Sequence, residues 1–394
     1  MSHRVRILAA TLALSLLAAA CGSDDADTST PQSGDGTSTS VTEADGGATD
    51  LSAEPAYAEA GPYVAGTTTL TAPDGRAVEV WYPADPGAEE GAEQDVFEIT
   101  DLLPENLKAI VPAELNPSYP TDAHRDIEAS ADGPFPIVLF SHGFAAYPTM
   151  YQYLTTHLAT WGIVVVAPDH RERGLLAALG GARTEVDDVE VLLTARATAL
   201  AANDDGASLL TGTMDPSMQA TAGHSAGTFA AVQAATQDPD IDTFLAMSGG
   251  GRLDDGSELP SQPGMVLTGR NDQVAEFDGV AGLYEAMVAP KRFVVFDDAG
   301  HNSFNDICLI GADKGGLLEI AGQVGIEVPE DLGRLFLDGC EEGYPPATDV
   351  WPATRHLVTA HLRDVWGVDE EPVGLGPDIV EAFEPVAITY ETEG

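Results

Sequence analysis

Short apolar runs alternate with helical segments from residue 136 to residue 366, and this alternation limits the folds that the chain can adopt. Each run is bounded by turn-forming residues, which is typical of a strand covered on both faces. Repeated βα units build a parallel sheet with helices on both sides. The sequence therefore predicts an α/β fold with a mostly parallel central sheet. The predicted strands cover 136–140, 163–167, 218–222, 244–247, 265–267 and 293–296, and the predicted helices cover 150–161, 189–202, 226–236, 280–287 and 354–366.

The remaining segments are assigned from their composition. The runs 66–72 and 77–82 flank a Pro-Asp-Gly turn and predict a hairpin. The Pro- and acid-rich stretch 85–133 is expected to wrap the surface as irregular chain. We place the main folded domain at 59–368 and an acidic C-terminal tail at 369–394.

The first residues have the pattern of an export signal. Arg4 and Arg6 precede an apolar run, 7–20, that is too short to span a bilayer. Residues 1–20 are therefore expected to be a signal peptide. The run ends in three alanines followed by Cys21, which resembles a bacterial lipobox, and we expect Cys21 to be lipidated. The protein would then be anchored to the outer face of the cell membrane. The alternative is ordinary secretory cleavage, which gives a soluble secreted protein.

The charge balance narrows the range of partners. The chain has 64 acidic and 17 basic residues, a net charge of -47. A surface of this sign repels phosphate backbones, which argues against nucleic-acid binding. Residues 22–58 are small, polar and acidic without Lys or Arg, so 21–58 is expected to be a disordered linker behind the lipidated cysteine. The oligomeric state is left open.

Besides Cys21, the chain has two cysteines, Cys308 and Cys340. An even pair in an exported protein predicts one disulfide, with two buried thiols as the alternative. Helical material at 317–324 and 331–337 lies between them and is expected to flank the active site. Neither cysteine has the neighbours of a zinc site.

The strongest motif is Gly223-His224-Ser225-Ala226-Gly227, a G-x-S-x-G between a predicted strand and a predicted helix. This is the context of a nucleophile elbow, in which glycines permit a sharp turn and the serine lies at a helix N-terminus. The helix dipole favours the negative charge that develops there. We therefore predict that Ser225 is a catalytic nucleophile.

A serine hydroxyl needs a base to accept its proton, and in this arrangement the acid and then the histidine follow the serine in sequence. His301 lies in a loop after the last predicted strand, whereas His356 and His361 lie on the closing helix. We choose His301 as the base and Asp272, in the loop after the strand 265–267, as the acid that orients it. The rival acids are Asp254, Asp255, Asp278, Asp297 and Asp298.

The oxyanion hole needs two backbone N–H donors. One should be Ala226, the residue after the nucleophile, and the other Phe144, in the loop after the strand 136–140. The ring of Phe144 would then form one wall of the substrate pocket. His142, in the same loop, is expected to shape the loop rather than to take part in catalysis.

Several separated segments resemble the α/β-hydrolase group that contains platelet-activating-factor acetylhydrolases, chlorophyllases and dienelactone-hydrolase-like esterases. The resemblance covers about residues 60–367 and implies ester hydrolysis without a metal or an organic cofactor, by the same triad and oxyanion pair. The matching segments are Gly61-Pro62-Tyr63-Val64-Ala65-Gly66, Val80-Trp81-Tyr82-Pro83, Phe140-Ser141-His142-Gly143-Phe144, Tyr151-Gln152-Tyr153-Leu154, Ala167-Pro168-Asp169-His170 and the run from Gly300 to Cys308.

The sequence leaves several functions open. The leading interpretation is a serine hydrolase that acts on short- or medium-chain acyl esters or on lipid esters. A phospholipase A2-type activity is the main variant. Polyester cleavage is less favoured, because Ala226 stands where cutinase-like enzymes usually have methionine and no tryptophan is near the predicted site in sequence. A serine peptidase and a non-catalytic binding protein are the alternatives from other classes.

Overall fold

The computed structural model describes residues 51–102, 108–109, 111–116, 118–179, 186–250 and 258–394. The predicted signal peptide, Cys21, the linker up to residue 50 and two rival acids, Asp254 and Asp255, lie outside the described residues. The described residues belong to one compact unit.

The described residues form one sheet of eleven strands, numbered β1 to β11 along the chain, in the order β11-β10-β9-β8-β7-β5-β6-β2-β1-β4-β3. Strands β5 to β10 form its parallel centre, with β6 and β7 on either side of β5. The chain order reverses at β5, and open α/β sheets bind ligands in a crevice at such a point, here beyond the carboxyl ends of β5 and β7. The strands are β1 Val64–Thr71, β2 Ala77–Ala84, β3 Gln94–Glu98, β4 Ser118–Arg125, β5 Phe135–Ser141, β6 Val164–Pro168, β7 Met214–His224, β8 Thr243–Met247, β9 Gly264–Gly269, β10 Lys291–Phe296 and β11 Ile388–Glu393.

Helices cover both faces of the sheet, and the strand residues between them are buried on both sides. Leu154 and Leu357 pack in the core on one face, and Leu192, Val232 and Val280 pack on the other. The α/β-hydrolase architecture expected from the sequence is therefore confirmed. The helices are α1 Gln152–Thr160, α2 Leu175–Ala178, α3 Asp188–Asp204, α4 Gly227–Gln237, α5 Phe277–Ala286, α6 Leu317–Gln323, α7 Glu330–Leu337 and α8 Ala347–Val365. Among the described residues, no helix combines the length and the apolar composition that crossing a membrane requires.

The stretch 85–133 contains two strands that the sequence analysis did not predict, β3 and β4. Charged residues pair across the sheet here: the half-buried Arg125 of β4 places its Nε 2.7 Å from Asp95 Oδ1 of β3 and its Nη2 2.8 Å from Glu79 Oε1 of β2. Asp95 and Glu79 are buried. Because these buried positions are ionic, the apolar alternation that marks a strand is missing from the sequence.

Both predicted ends of the main domain need correction. Residues 51–58 are not linker: the Tyr57 ring packs edge-on against Trp161, and Gly374 N donates to Leu51 O. Residues 369–394 are not a separate tail, since β11 pairs antiparallel with β10 from Ile388 to Glu393. The sequence analysis missed this strand because acidic side chains interrupt its apolar pattern. Charged residues of this kind are common on strands at the edge of a sheet.

The predicted disulfide between Cys308 and Cys340 is present. The chain between the two cysteines contains α6 and α7, as the sequence indicated. The end of this segment packs directly behind His301, because a Cβ atom at Gly300 would lie 2.7 Å from Gly339 Cα. The segment therefore flanks the predicted base.

Candidate active site

The turn between β7 and α4 has the geometry of a nucleophile elbow. Ser225 has a φ of 54°, a left-handed conformation that non-glycine residues rarely adopt. A Cβ at Gly223 would lie 2.3 Å from the Gly227 carbonyl oxygen, and one at Gly227 would lie 1.9 Å from the Ser141 carbonyl oxygen. Only glycine fits at either position. Ser225 itself is half-buried, so its hydroxyl is held at the surface of the crevice.

The loop after β5 lies against this elbow. A Cβ at Gly143 would lie 3.2 Å from Ser225 Cβ, so the predicted oxyanion loop and the predicted nucleophile meet. The Gly143 N–H donates to the Tyr151 hydroxyl over 3.1 Å and is not available to a substrate oxygen. The neighbouring Phe144 N–H and the Ala226 N–H stay the predicted donors. The Phe144 side chain is 38% exposed, which suits the wall of an open pocket.

The predicted acid and base are in contact. His301 Nδ1 lies 2.9 Å from Asp272 Oδ2, and both side chains are buried. Asp272 Oδ1 accepts hydrogen bonds from the backbone N–H groups of Val274 and Ala275, at 2.8 and 2.7 Å. These bonds fix the carboxylate, which in turn holds a proton on Nδ1 and directs the lone pair of Nε2 away from the acid.

Asp338 connects the loops of the acid and the base, and the sequence analysis missed it. Its Oδ2 accepts from the backbone N–H groups of His301 and Gln273, both at 3.0 Å. Gln273 follows the acid directly. A buried aspartate near the end of a helix has no sequence signal that distinguishes it from the many other acidic residues of this chain.

His224, the variable residue before the nucleophile, links three loops. Its Nε2 donates to the His301 carbonyl oxygen over 3.0 Å, and its Nδ1 accepts from the Tyr151 hydroxyl over 3.0 Å. Tyr151 also accepts the Gly143 N–H. This assignment requires a neutral imidazole, and burial lowers the pKa of His224 well below its usual value, with a smaller contribution from His301. The oxyanion loop, the elbow and the base therefore share one hydrogen-bonded chain.

A second Ser-His-Asp arrangement lies at the ends of β5 and β6. Ser141 Oγ lies 2.9 Å from His170 Nε2, and His170 Nδ1 lies 3.2 Å from Asp188 Oδ1. Arg173 Nη2 donates to Ser141 Oγ over 2.8 Å. Ser141 and His170 are fully buried, so a substrate cannot reach this serine. We interpret the cluster as a support that ties the loop after β6 to the oxyanion loop.

The other residues weighed in the sequence have non-catalytic surroundings. Asp297 pairs with Arg270 at 2.6 Å, and Asp278 lies in the first turn of α5. His356 and His361 are buried, the first bonded to Gly374 O and the second to Thr243. His142 accepts from the His170 N–H and contacts Gly143 O, in agreement with a role in shaping its loop. Within the described ranges, His, Cys, Asp and Glu side chains form no group of three or more that could hold a metal ion.

A doubly covered parallel sheet with a strained serine after one strand, and an Asp–His pair in the loops after two others, is the arrangement of the α/β-hydrolase fold. The comparisons agree. The family model described as platelet-activating factor acetylhydrolase, isoform II, matches residues 58–192, and the model described as serine aminopeptidase, S33, matches residues 132–257. Over these segments the chain is similar to two hydrolase families, and its architecture is the α/β-hydrolase fold.

A solved structure extends the similarity of the fold to most of the chain. The ferulic acid esterase from Streptomyces cinnamoneus superimposes with a TM-score of 0.57 and is 19% identical in sequence. The match covers 84% of this chain and 96% of the esterase. At this level of identity the similarity concerns the fold.

Proposed function

We propose that the protein hydrolyses carboxylic esters through an acyl-enzyme on Ser225. The observation that supports this most directly is the buried contact of 2.9 Å between Asp272 and His301, together with a serine held at φ 54° on an elbow whose His224 bonds to the His301 carbonyl. The family matches to hydrolases point in the same direction.

The chemistry assigns one role to each group. Ser225 Oγ attacks the ester carbonyl carbon while its proton passes to His301 Nε2, and Asp272 stabilises the imidazolium. The N–H groups of Phe144 and Ala226 bind the oxyanion of the tetrahedral intermediate. His301 then protonates the leaving alkoxide, which departs as the alcohol. Water attacks the acyl-enzyme with His301 as the base, and the acid is released with Ser225 restored.

The substrate class we favour is an ester of a short or medium acyl chain, or a lipid ester. The acetylhydrolase model matches the segment that contains the oxyanion loop, which supports a phospholipase A2-type variant of the same chemistry. A polyester hydrolase, a serine peptidase and a non-catalytic binding protein are the alternatives to be tested. We also propose that the enzyme is lipid-anchored through Cys21 and acts outside the cell.

The first test compares nitrophenyl esters of increasing chain length as substrates of the full chain and of Ser225→Ala. We expect the variant to lose roughly 10⁴-fold or more in kcat, because the other groups cannot replace the nucleophile. Ser217→Ala is the matched control, since Ser217 is exposed on β7, the strand that leads to the elbow. Its activity should equal that of the parent.

A fluorophosphonate label distinguishes the half-buried Ser225 from the fully buried Ser141 of the second Ser-His-Asp arrangement. Mass spectrometry should find the label on the peptide that contains Ser225 and not on the one that contains Ser141. Equal rates in parent and Ser225→Ala, or a label on Ser141, would contradict the proposal. Comparable turnover of nitroanilides would favour the peptidase, and ligand binding without turnover would favour the binding protein.

A further inference from the structure

The carboxylate of Asp338 is a buried group that lies between two predicted catalytic loops without facing the substrate. Asp338 is 5% exposed. It follows α7 in the bracing segment, which we define as residues 330–344. The sequence order places it after the acid, the base and the first cysteine of the disulfide.

Every oxygen of Asp338 is engaged with the site or its surroundings. Oδ2 accepts from His301 N and Gln273 N at 3.0 Å, and Oδ1 accepts from the Tyr344 hydroxyl at 2.8 Å. The backbone oxygen accepts from the Asn302 N–H at 2.9 Å and from its side-chain amide at 3.0 Å. Asp338 thus accepts hydrogen bonds from the backbone N–H groups of His301, Asn302 and Gln273.

The bracing segment is itself fixed against the loop of the base. Gly339 has a φ of 91°, and a Cβ there would lie 3.1 Å from both Asn302 N and Gly300 C. Cys340 joins the segment covalently to Cys308, seven residues after the base. The segment lies behind His301, where it supports the loop.

Loss of the Asp338 carboxylate should affect catalysis by moving the loops of Asp272 and His301 relative to each other. The contact between Asp272 and His301 depends on the relative position of two loops, and misplacement of a catalytic group by about 1 Å can cost on the order of 100-fold in rate. Without the Asp338 carboxylate, two backbone N–H groups in these loops lose their acceptor. A buried donor without a partner is costly, so the loops would move to find water.

We propose that Asp338 is a positioning residue, which holds the loops of His301 and Asp272 in the relative position that ester hydrolysis requires. The kinetic part of this inference rests on the proposed function. The structural part, that Asp338 fixes the two loops, does not depend on it.

The test compares Asp338→Ala with Asp338→Asn. The asparagine oxygen can accept both backbone N–H groups while its NH₂ donates to the Tyr344 oxygen, so Asn should preserve the arrangement, whereas Ala removes it. We expect Ala to lower kcat roughly 10- to 100-fold with KM changed less than about threefold, and Asn to stay within about fivefold of the parent. Asp331→Ala is the control, because Asp331 lies on α7 with a side chain that is 91% exposed.

Hydrogen exchange of the peptides around 269–275 and 299–304 gives a readout that is independent of turnover. Both should exchange faster in Asp338→Ala and at the parental rate in Asp338→Asn and Asp331→Ala. If Asp338→Ala does not fold, Tyr344→Phe replaces it, with a several-fold loss in kcat and faster exchange of the same peptides expected. Unchanged exchange, or an Asn variant as impaired as the Ala variant, would overturn the inference. Parental protein without esterase activity but with the expected exchange pattern would instead refute the proposed function alone.

Discussion

His224 shows how a residue that the motif leaves unspecified can have a defined role. In G-x-S-x-G the second position is variable, but here its imidazole joins the His301 carbonyl to the Tyr151 hydroxyl. Because the acceptor at Nε2 is a carbonyl, Nε2 has to carry the proton and Nδ1 has to accept. The Tyr151 hydroxyl is therefore the only donor that this arrangement provides for Nδ1 among the described contacts.

Replacement of Tyr151 by Phe should affect both stability and activity. The Gly143 N–H and His224 Nδ1 would both lose a buried partner, at about 1–3 kcal/mol for each group. We expect a lower free energy of unfolding and a kcat/KM reduced roughly tenfold, since the oxyanion loop loses its tie to the elbow. Urea denaturation and ester kinetics measure the two effects.

Tyr153→Phe is the matched control for this experiment. Tyr153 also lies in the region of α1, but its buried hydroxyl has no hydrogen-bond partner among the described residues. Removing that hydroxyl should be neutral or slightly stabilising. Similar losses in the two variants would show that the Tyr151 hydroxyl has no special role.

Among the strands and helices, those that bury apolar side chains could be predicted from the sequence. Most strands from β5 to β10 were placed from runs rich in Val, Ile, Leu, Met and Phe, and β7 was placed from its position before the G-x-S-x-G motif. In contrast, β3 and β4 were missed because Asp95, paired with the half-buried Arg125, occupies a buried position where a strand pattern would have an apolar residue. The elbow and the Asp272–His301 pair could be located from motif and order, whereas Tyr151 and Asp338 could not, since their roles arise from contacts between distant loops.

The disulfide should stabilise the molecule and also support the base. The loop it closes is about 30 residues long, which in the chain-entropy model corresponds to roughly 3–4 kcal/mol. We expect the double variant Cys308→Ser/Cys340→Ser to unfold at a lower urea concentration and to have a lower kcat with a similar KM, because the bracing segment loses its covalent attachment. An unchanged unfolding midpoint and an unchanged kcat would contradict this.

For the whole molecule, the dominant feature is the net charge of -47. Like charges on a folded surface repel one another, and salt screens this repulsion with a Debye length of about 10 Å at 0.1 M. We expect the unfolding temperature to rise as NaCl increases from 0.02 to 0.5 M, with most of the gain below about 0.2 M. KCl should act equally at the same ionic strength. A midpoint that does not respond to salt would show that repulsion is not a significant cost.

The pairing of β10 with β11 has a consequence for the order in which the enzyme is made. The loop that contains His301 follows β10, but one edge of β10 stays open until Ile388–Glu393 has been synthesised. Asp338 likewise reaches its place only after the base has been made. Since chains grow from the N-terminus at about 5–20 residues per second, the elbow is complete seconds before the base can be held in position. A ribosome that stops before the last strand would therefore release a chain that has the elbow of the proposed nucleophile but not a fully supported loop for the proposed base.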